Sequence, residues 1–222
     1  FDGRRKIACA NFSSPLRNKS CSEMRISMRV IGITGGVGSG KSTVLKLLKE
    51  RFNAYILMAD DIAKDTMNRG NAGYEQVIEM FGDGILCEDK SIDRKALAQI
   101  VFNNPNKRMV LNSIIHPLVK KIILNKINEL RIAGTYEYVF VEAALLIEDH
   151  YDIICDELWY IYVPQDIRRC RLKESRGYSD EKIDSVFKSQ LTKQEYEKAC
   201  VNTIDNSKDI EYTMRQIESL LD

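Results

Sequence analysis

The chain has six cysteines but no CxxC pair, and only two histidines, His116 and His150. That scarcity argues against a zinc site or a disulfide framework as the organising element and points to a reducing, cytoplasmic setting. No apolar run approaches the roughly 20 residues that cross a bilayer, so no membrane association is expected. Charge of one sign is also missing: 33 Lys and Arg face 32 Asp and Glu, for a net charge of +1. No broad basic field favours nucleic acid, although local basic clusters remain able to hold an anionic small molecule. There are only four prolines in 222 residues, and no internal repeat or low-complexity stretch.

What is present is an ordinary globular composition, 44% hydrophobic and 29% charged. The length suits one α/β domain with an inserted or appended subdomain, and a monomer or small homo-oligomer is expected. Residues 1–27 stand apart. They start without Met, show no sustained period and lack the apolar core of a secretory signal. They read as a non-native or disordered leader before Met28, with an Arg- and Ser-rich transit peptide as the alternative.

From Arg29 onward, strand and helix patterns alternate. The runs 29–34 (RVIGIT), 54–58 (AYILM), 138–142 (YVFVE) and 158–163 (LWYIYV) read as buried strands, with a short one at 202–206. Helical patterns fill most of 62–131, broken at 81–86, at 103–106 and at His116-Pro117. Further helices are expected over 165–175, 180–200 and 209–221. Strands separated by helices predict a parallel sheet under helical cover.

The chemistry starts where the first strand ends. Gly35-Gly36-Val37-Gly38-Ser39-Gly40-Lys41-Ser42 satisfies GxxxxGK[ST], between a strand and a helix as that motif requires. Glycines let the backbone turn and aim successive N–H groups at phosphate oxygens, and the helix that follows presents its positive end. Gly36 to Thr43 are the predicted ATP-binding stretch, with Lys41 reaching the β- and γ-phosphates and the Ser42 hydroxyl available to Mg²⁺. Neither NKxD nor DxxG occurs, which excludes a guanine-reading switch. A small α/β chain with one such P-loop fits a small-molecule kinase.

Phosphoryl transfer also needs a group to take the acceptor's proton and carboxylates around the metal. Asp60 follows the second strand and should emerge at the carboxyl edge of the sheet, where open α/β folds bind ligands; capping the next helix is the competing role. Glu142 closes the VFV run, where a metal-organising carboxylate belongs. Glu148 is either an acceptor-binding group or a solvated glutamate, and His116 before Pro117 either a site residue or a helix-boundary cap. Arg168, Arg169, Arg171 and Arg176 are either a solvated cluster or the charges that close over the phosphates.

The residues beyond the P-loop narrow this further. IGITGGVGSGKST resembles the opening of the dephospho-CoA kinases, and ADDIAK (59–64) their DADxIAR motif. IDRKALAQIVFNNPNKRMVLNSIIHPLV (92–119) is similar to a long stretch that other P-loop kinases lack. VEAALLIE (141–148) and TIDNS (203–207) resemble two further segments. The resemblance runs from Met28 to about Leu221. It implies a P-loop nucleotide-kinase-like core at 28–65 and 135–222, a helical CoA-binding insertion at about 66–134 and a lid at about 168–180. It further implies transfer of phosphate from ATP, with Mg²⁺, to the ribose 3′-hydroxyl of dephospho-CoA. Asp60 would then be the general base, with Arg94, His116 and Glu148 in the segments that build the acceptor pocket. The sequence departs from the pattern at Met58, where the first Asp of DAD is usual. Glu142 stands for Asp, Ala144 for Pro, and Ser175 for the lid arginine, with Arg176 as the substitute.

Overall fold

The structure, a computed structural model, describes residues 28–221. The leader expected at 1–27 lies outside the described residues. Five strands form one parallel sheet: β1 (Arg29–Thr34), β2 (Ala54–Met58), β3 (Tyr138–Glu142), β4 (Glu157–Tyr162) and β5 (Asn202–Asp205). Their order is β2-β3-β1-β4-β5.

Both faces of the sheet are buried, so its strands are nearly continuous apolar runs rather than alternating ones. Ile31, Ile33, Phe140, Trp159 and Ile161 face one side. There they pack with Val44, Leu45 and Leu48 of α1 (Lys41–Arg51) and with Met214, Ile217 and Leu221 of α9 (Ile210–Leu221). Val30, Leu57, Val139, Val141, Leu158 and Tyr160 face the other. That side is covered by α2 (Ala59–Thr66), α3 (Ala72–Phe81), α4 (Arg94–Phe102) and α5 (Pro105–Ala133), all between β2 and β3, and by Tyr196 of α8 (Lys193–Ala199). A side chain at Gly32 has no room: a Cβ there would stand 2.6 Å from Leu158 Cδ2 and 3.1 Å from Leu146 Cδ2.

The structure corrects the sequence reading in two places. His116-Pro117 does not interrupt the helix; it lies within the 29 residues of α5. Ile115, Val119, Ile123, Ile127 and Leu130 recur at helical spacing and form one buried stripe on both sides of the proline. Pro117 itself is exposed, as is Ser113, whose carbonyl loses its helical donor, so solvent can satisfy that group. Asn104 caps the start by accepting from Lys107 N, Pro105 takes the first helical position, and Gly134 ends the helix in the left-handed conformation.

The second correction concerns 180–200, which is two helices. Ser179 caps α7 (Asp180–Lys188), and α8 starts afresh at a capping box in which Thr192 and Glu195 satisfy each other's backbone. The T-x-x-E signal for that restart is written in the sequence. Before them, α6 (Gln165–Arg176) ends at Gly177 in the left-handed conformation.

Candidate active site

Strand register gathers the site. Glu142 of β3 is level with Ile33 of β1 and with Met58 of β2. The P-loop after β1, the first turn of α2 after β2 and Glu142 therefore meet at one carboxyl edge, where open parallel sheets bind ligands. Gly38 and Gly40 hold positive φ of 85° and 82°. Gly40 is the residue before α1, and a Cβ there would stand 2.4 Å from Asn206 Nδ2, so both conformation and space demand glycine.

Lys41 Nζ donates to Gly35 O at 2.8 Å and lies 3.8 Å from Glu142 Oε1. Burial pulls the Lys41 ammonium below its ordinary range, and Arg168 and Arg176 add to that, while Glu142 and Asp60 oppose it. Burial likewise pushes the Glu142 carboxyl up; Lys41 opposes that shift, and Asp60 and Asp61 add to it. On both partners desolvation outweighs an ion pair this long. A polyanion beside Lys41 and a cation beside Glu142 would each offset that cost. The buried Ser39 Oγ, without a hydrogen-bond partner among the described residues, is a further polar group inside the loop. Ser42 and Thr43 are exposed on the first turn of α1.

Asp60 does not cap a helix. Met58 holds the cap position of α2, with no side-chain bond, and Asp60 and Asp61 sit in the first turn, where the helix dipole favours carboxylates. Asp61 is held by Lys64 at 2.6 Å. Asp60 is exposed and makes no hydrogen bond or ion pair among the described residues, so, unlike that of Asp61, its carboxylate is unengaged. No three His, Cys, Asp or Glu side chains among the described residues converge to hold a metal by themselves. Mg²⁺ does not require such a set: it commonly keeps several waters and takes one or two protein oxygens together with substrate phosphates. Ser42 and Glu142 suit that arrangement.

The segment after β3 carries the next group. His116 Nδ1 on α5 is 2.8 Å from Asp149 Oδ2, and Lys120 donates to the Asp149 carbonyl. These bonds tie α5 to the turns that carry the exposed Glu148. Arg94 is placed differently. It braces α4 against the far end of α2, donating to Lys64 O at 3.0 Å and to Asn68 Oδ1 at 2.8 Å. Arg176 is exposed at the last position of α6, against the Tyr178 ring, and Ser175 Oγ donates back to Arg171 O.

Asn206 is a site residue that sequence reasoning left unassigned. It is buried in the turn between β5 and α9. Its Nδ2 donates to Ser39 O at 2.8 Å, its Oδ1 accepts from Thr213 Oγ1, and its carbonyl accepts from Arg171 Nη2. It thus fixes a P-loop carbonyl from the far edge of the sheet. The signal was the TIDNS segment, but only the fold shows what the amide touches. Asn206→Ala strands the Ser39 carbonyl and should cost about 1–3 kcal/mol. Denaturant melts should show that loss, and the KM for ATP should rise more than kcat falls; unchanged stability and KM would contradict this role.

Comparison with known proteins agrees with this geometry. The family model described as dephospho-CoA kinase matches residues 29–211. A dephospho-CoA kinase of Carboxydothermus hydrogenoformans is 42% identical over 192 residues, which cover 86% of this chain and 92% of that protein. One of Oceanobacillus iheyensis is 35% identical, covering 86% and 96%. Among solved structures, a Thermus thermophilus protein aligns over 87% of this chain and 96% of its own, with a TM-score of 0.73 and 26% identity. The dephospho-CoA kinase of Campylobacter jejuni shares the fold at a TM-score of 0.64 and 24% identity, over 86% and 94%. With most of its length matched by the family model and by these relatives, and with the P-loop, Asp60 and Glu142 at one sheet edge, this chain belongs to the dephospho-CoA kinase family.

Proposed function

We propose that this protein transfers the γ-phosphoryl group of ATP to the 3′-hydroxyl of dephospho-CoA, giving coenzyme A and ADP. The observation that carries the reading is the convergence of a complete P-loop, a half-buried Lys41 and an unengaged Asp60 in a chain of this family. The phosphates lie along Gly36 to Thr43, held by backbone N–H groups and the amino end of α1. Lys41 offsets the negative charge that spreads over the transferring group, an interaction expressed mainly in the transition state. The acceptor oxygen attacks the γ-phosphorus, its proton passes to Asp60, and the bond to the β-phosphate oxygen breaks to release ADP. Bound Mg²⁺, held by Ser42 and Glu142, would neutralise phosphate charge.

His116, Glu148 and Arg94 belong to the acceptor side in this reading. The helices at about 66–134 form the CoA-binding part, and residues 168–180 form the lid. Arg176 brings positive charge to the phosphates when that lid closes; its electrostatic effect on Lys41 supports the assignment. Among the described residues no helix is long and apolar enough to cross a membrane. We place the enzyme in the cytoplasm, acting on small molecules as a monomer or small homo-oligomer.

Release of ADP from ATP–Mg²⁺ should depend on dephospho-CoA and be much slower with AMP, CMP or adenosine; equal turnover with CMP would replace this reading with a nucleoside monophosphate kinase. In the same assay Arg176→Ala should lower kcat about tenfold, 1.4 kcal/mol in the barrier; an unimpaired Arg176→Ala beside an Arg171→Ala that loses kcat while keeping its stability and KM for ATP would move the closing charge to Arg171.

Asp60→Asn keeps the shape and removes the charge. It should retain ATP binding and lose most of kcat. A variant within about threefold of wild type would exclude Asp60 as the base and leave Glu142.

A further inference from the structure

Arg168 stands apart from the arginines around it. It lies on the first turns of α6 and is buried, 7% exposed, whereas its neighbour Arg169 reaches outward to Asp180 and Asp184 of α7. Arg168 has no carboxylate partner among the described residues. Its Nε donates to Val37 O at 2.9 Å, and its Nη2 donates to Gln190 Oε1. The guanidinium carbon is 4.4 Å from the centre of the Phe187 ring. The guanidinium also lies flat against the P-loop: a Cβ on Gly36 would stand 2.4, 2.5 and 2.6 Å from its Nη2, Cζ and Nη1. Nη1 donates to no acceptor among the described residues.

Burying a cation without an anion is costly, and neutral hydrogen bonds and an aromatic face return only part of that cost. Arginine does not escape by losing its proton. The charge therefore calls for an anion. The neighbouring surface is built for one, because Arg168 lies against the loop whose backbone is shaped for phosphates and close enough to Lys41 to act on its charge. A planar guanidinium with free donors suits phosphate oxygens better than a point charge does.

We propose that Arg168 is a second phosphate-binding cation of this site, which holds the P-loop tip at Val37 and supplies charge to the bound triphosphate. It rests on the reading that the P-loop takes ATP, and it adds a role distinct from those of Lys41 and Arg176. Because Gln190 and Phe187 hold the same guanidinium, an anion there also secures the α6–α7 segment on the loop.

Calorimetric titration of ATP–Mg²⁺ into the full-length wild type, Arg168→Gln and Arg168→Lys, alongside thermal melts without nucleotide, tests this. Arg168→Gln should weaken ATP binding about tenfold or more, as expected for loss of a charge-assisted contact. Its melting temperature without nucleotide should not fall, because an unpaired buried charge has been removed. Arg168→Lys should bind ATP more weakly than wild type but more tightly than Arg168→Gln, because the charge is kept while the planar donors are lost. A Gln variant that binds ATP as tightly as wild type would overturn the proposal. So would Gln and Lys variants that melt earlier and weaken ATP binding equally, since that marks a packing role. Wild-type protein that binds no ATP would instead overturn the nucleotide reading itself, and this proposal with it.

Discussion

The parallel register of β3 between β1 and β2 is the constraint on which the site depends. Glu142 is level with Ile33 and Met58 only because Tyr138 pairs with both Arg29 and Ala54 at the other end of the sheet. A slip of one residue would turn Val139 and Val141 to the opposite face and carry Glu142 away from Lys41. Apolar side chains packed on both faces hold that register, so the core around Phe140 and Trp159 and the chemistry at Lys41 are parts of one arrangement. The cost of burying Lys41 and Glu142 falls on the apoprotein, and the packed sheet bears it.

Much of this was legible in the sequence, because the signals are local. The five strands are short β-branched or aromatic runs, and the P-loop is a contiguous motif whose flanking strand and helix can be read beside it. Asp60 at the sheet edge followed from its position after AYILM, as did Glu142 from the end of YVFVE. What was not legible lies in contacts between distant segments. Pro117 suggests a break, yet the stripe from Ile115 to Leu130 packs into the core that α5 shares with α2, α3 and α4, and the helix continues through it. The capping reading of Asp60 failed by two residues, because α2 begins directly after Met58 without a side-chain cap.

The same holds for the groups around the P-loop. Asn206 and Arg168 are 167 and 131 residues from the Ser39 and Val37 carbonyls they bond. No spacing rule connects such pairs. A cluster of arginines after β4 is visible in the sequence, but the structure separates its members. Arg169 is paired on the surface, Arg171 braces Asn206, Arg176 ends the helix, and Arg168 alone is buried on the loop.

The central claim, that these groups direct a phosphoryl group to one hydroxyl, is tested most directly by identifying the product. Dephospho-CoA incubated with ATP–Mg²⁺ and the protein can be examined by mass spectrometry and phosphorus NMR. The account predicts a single added phosphoryl group, present as a phosphomonoester on the ribose 3′-oxygen, formed in step with ADP. ADP formed while dephospho-CoA remains unmodified, or a phosphoryl group at another position, would contradict it.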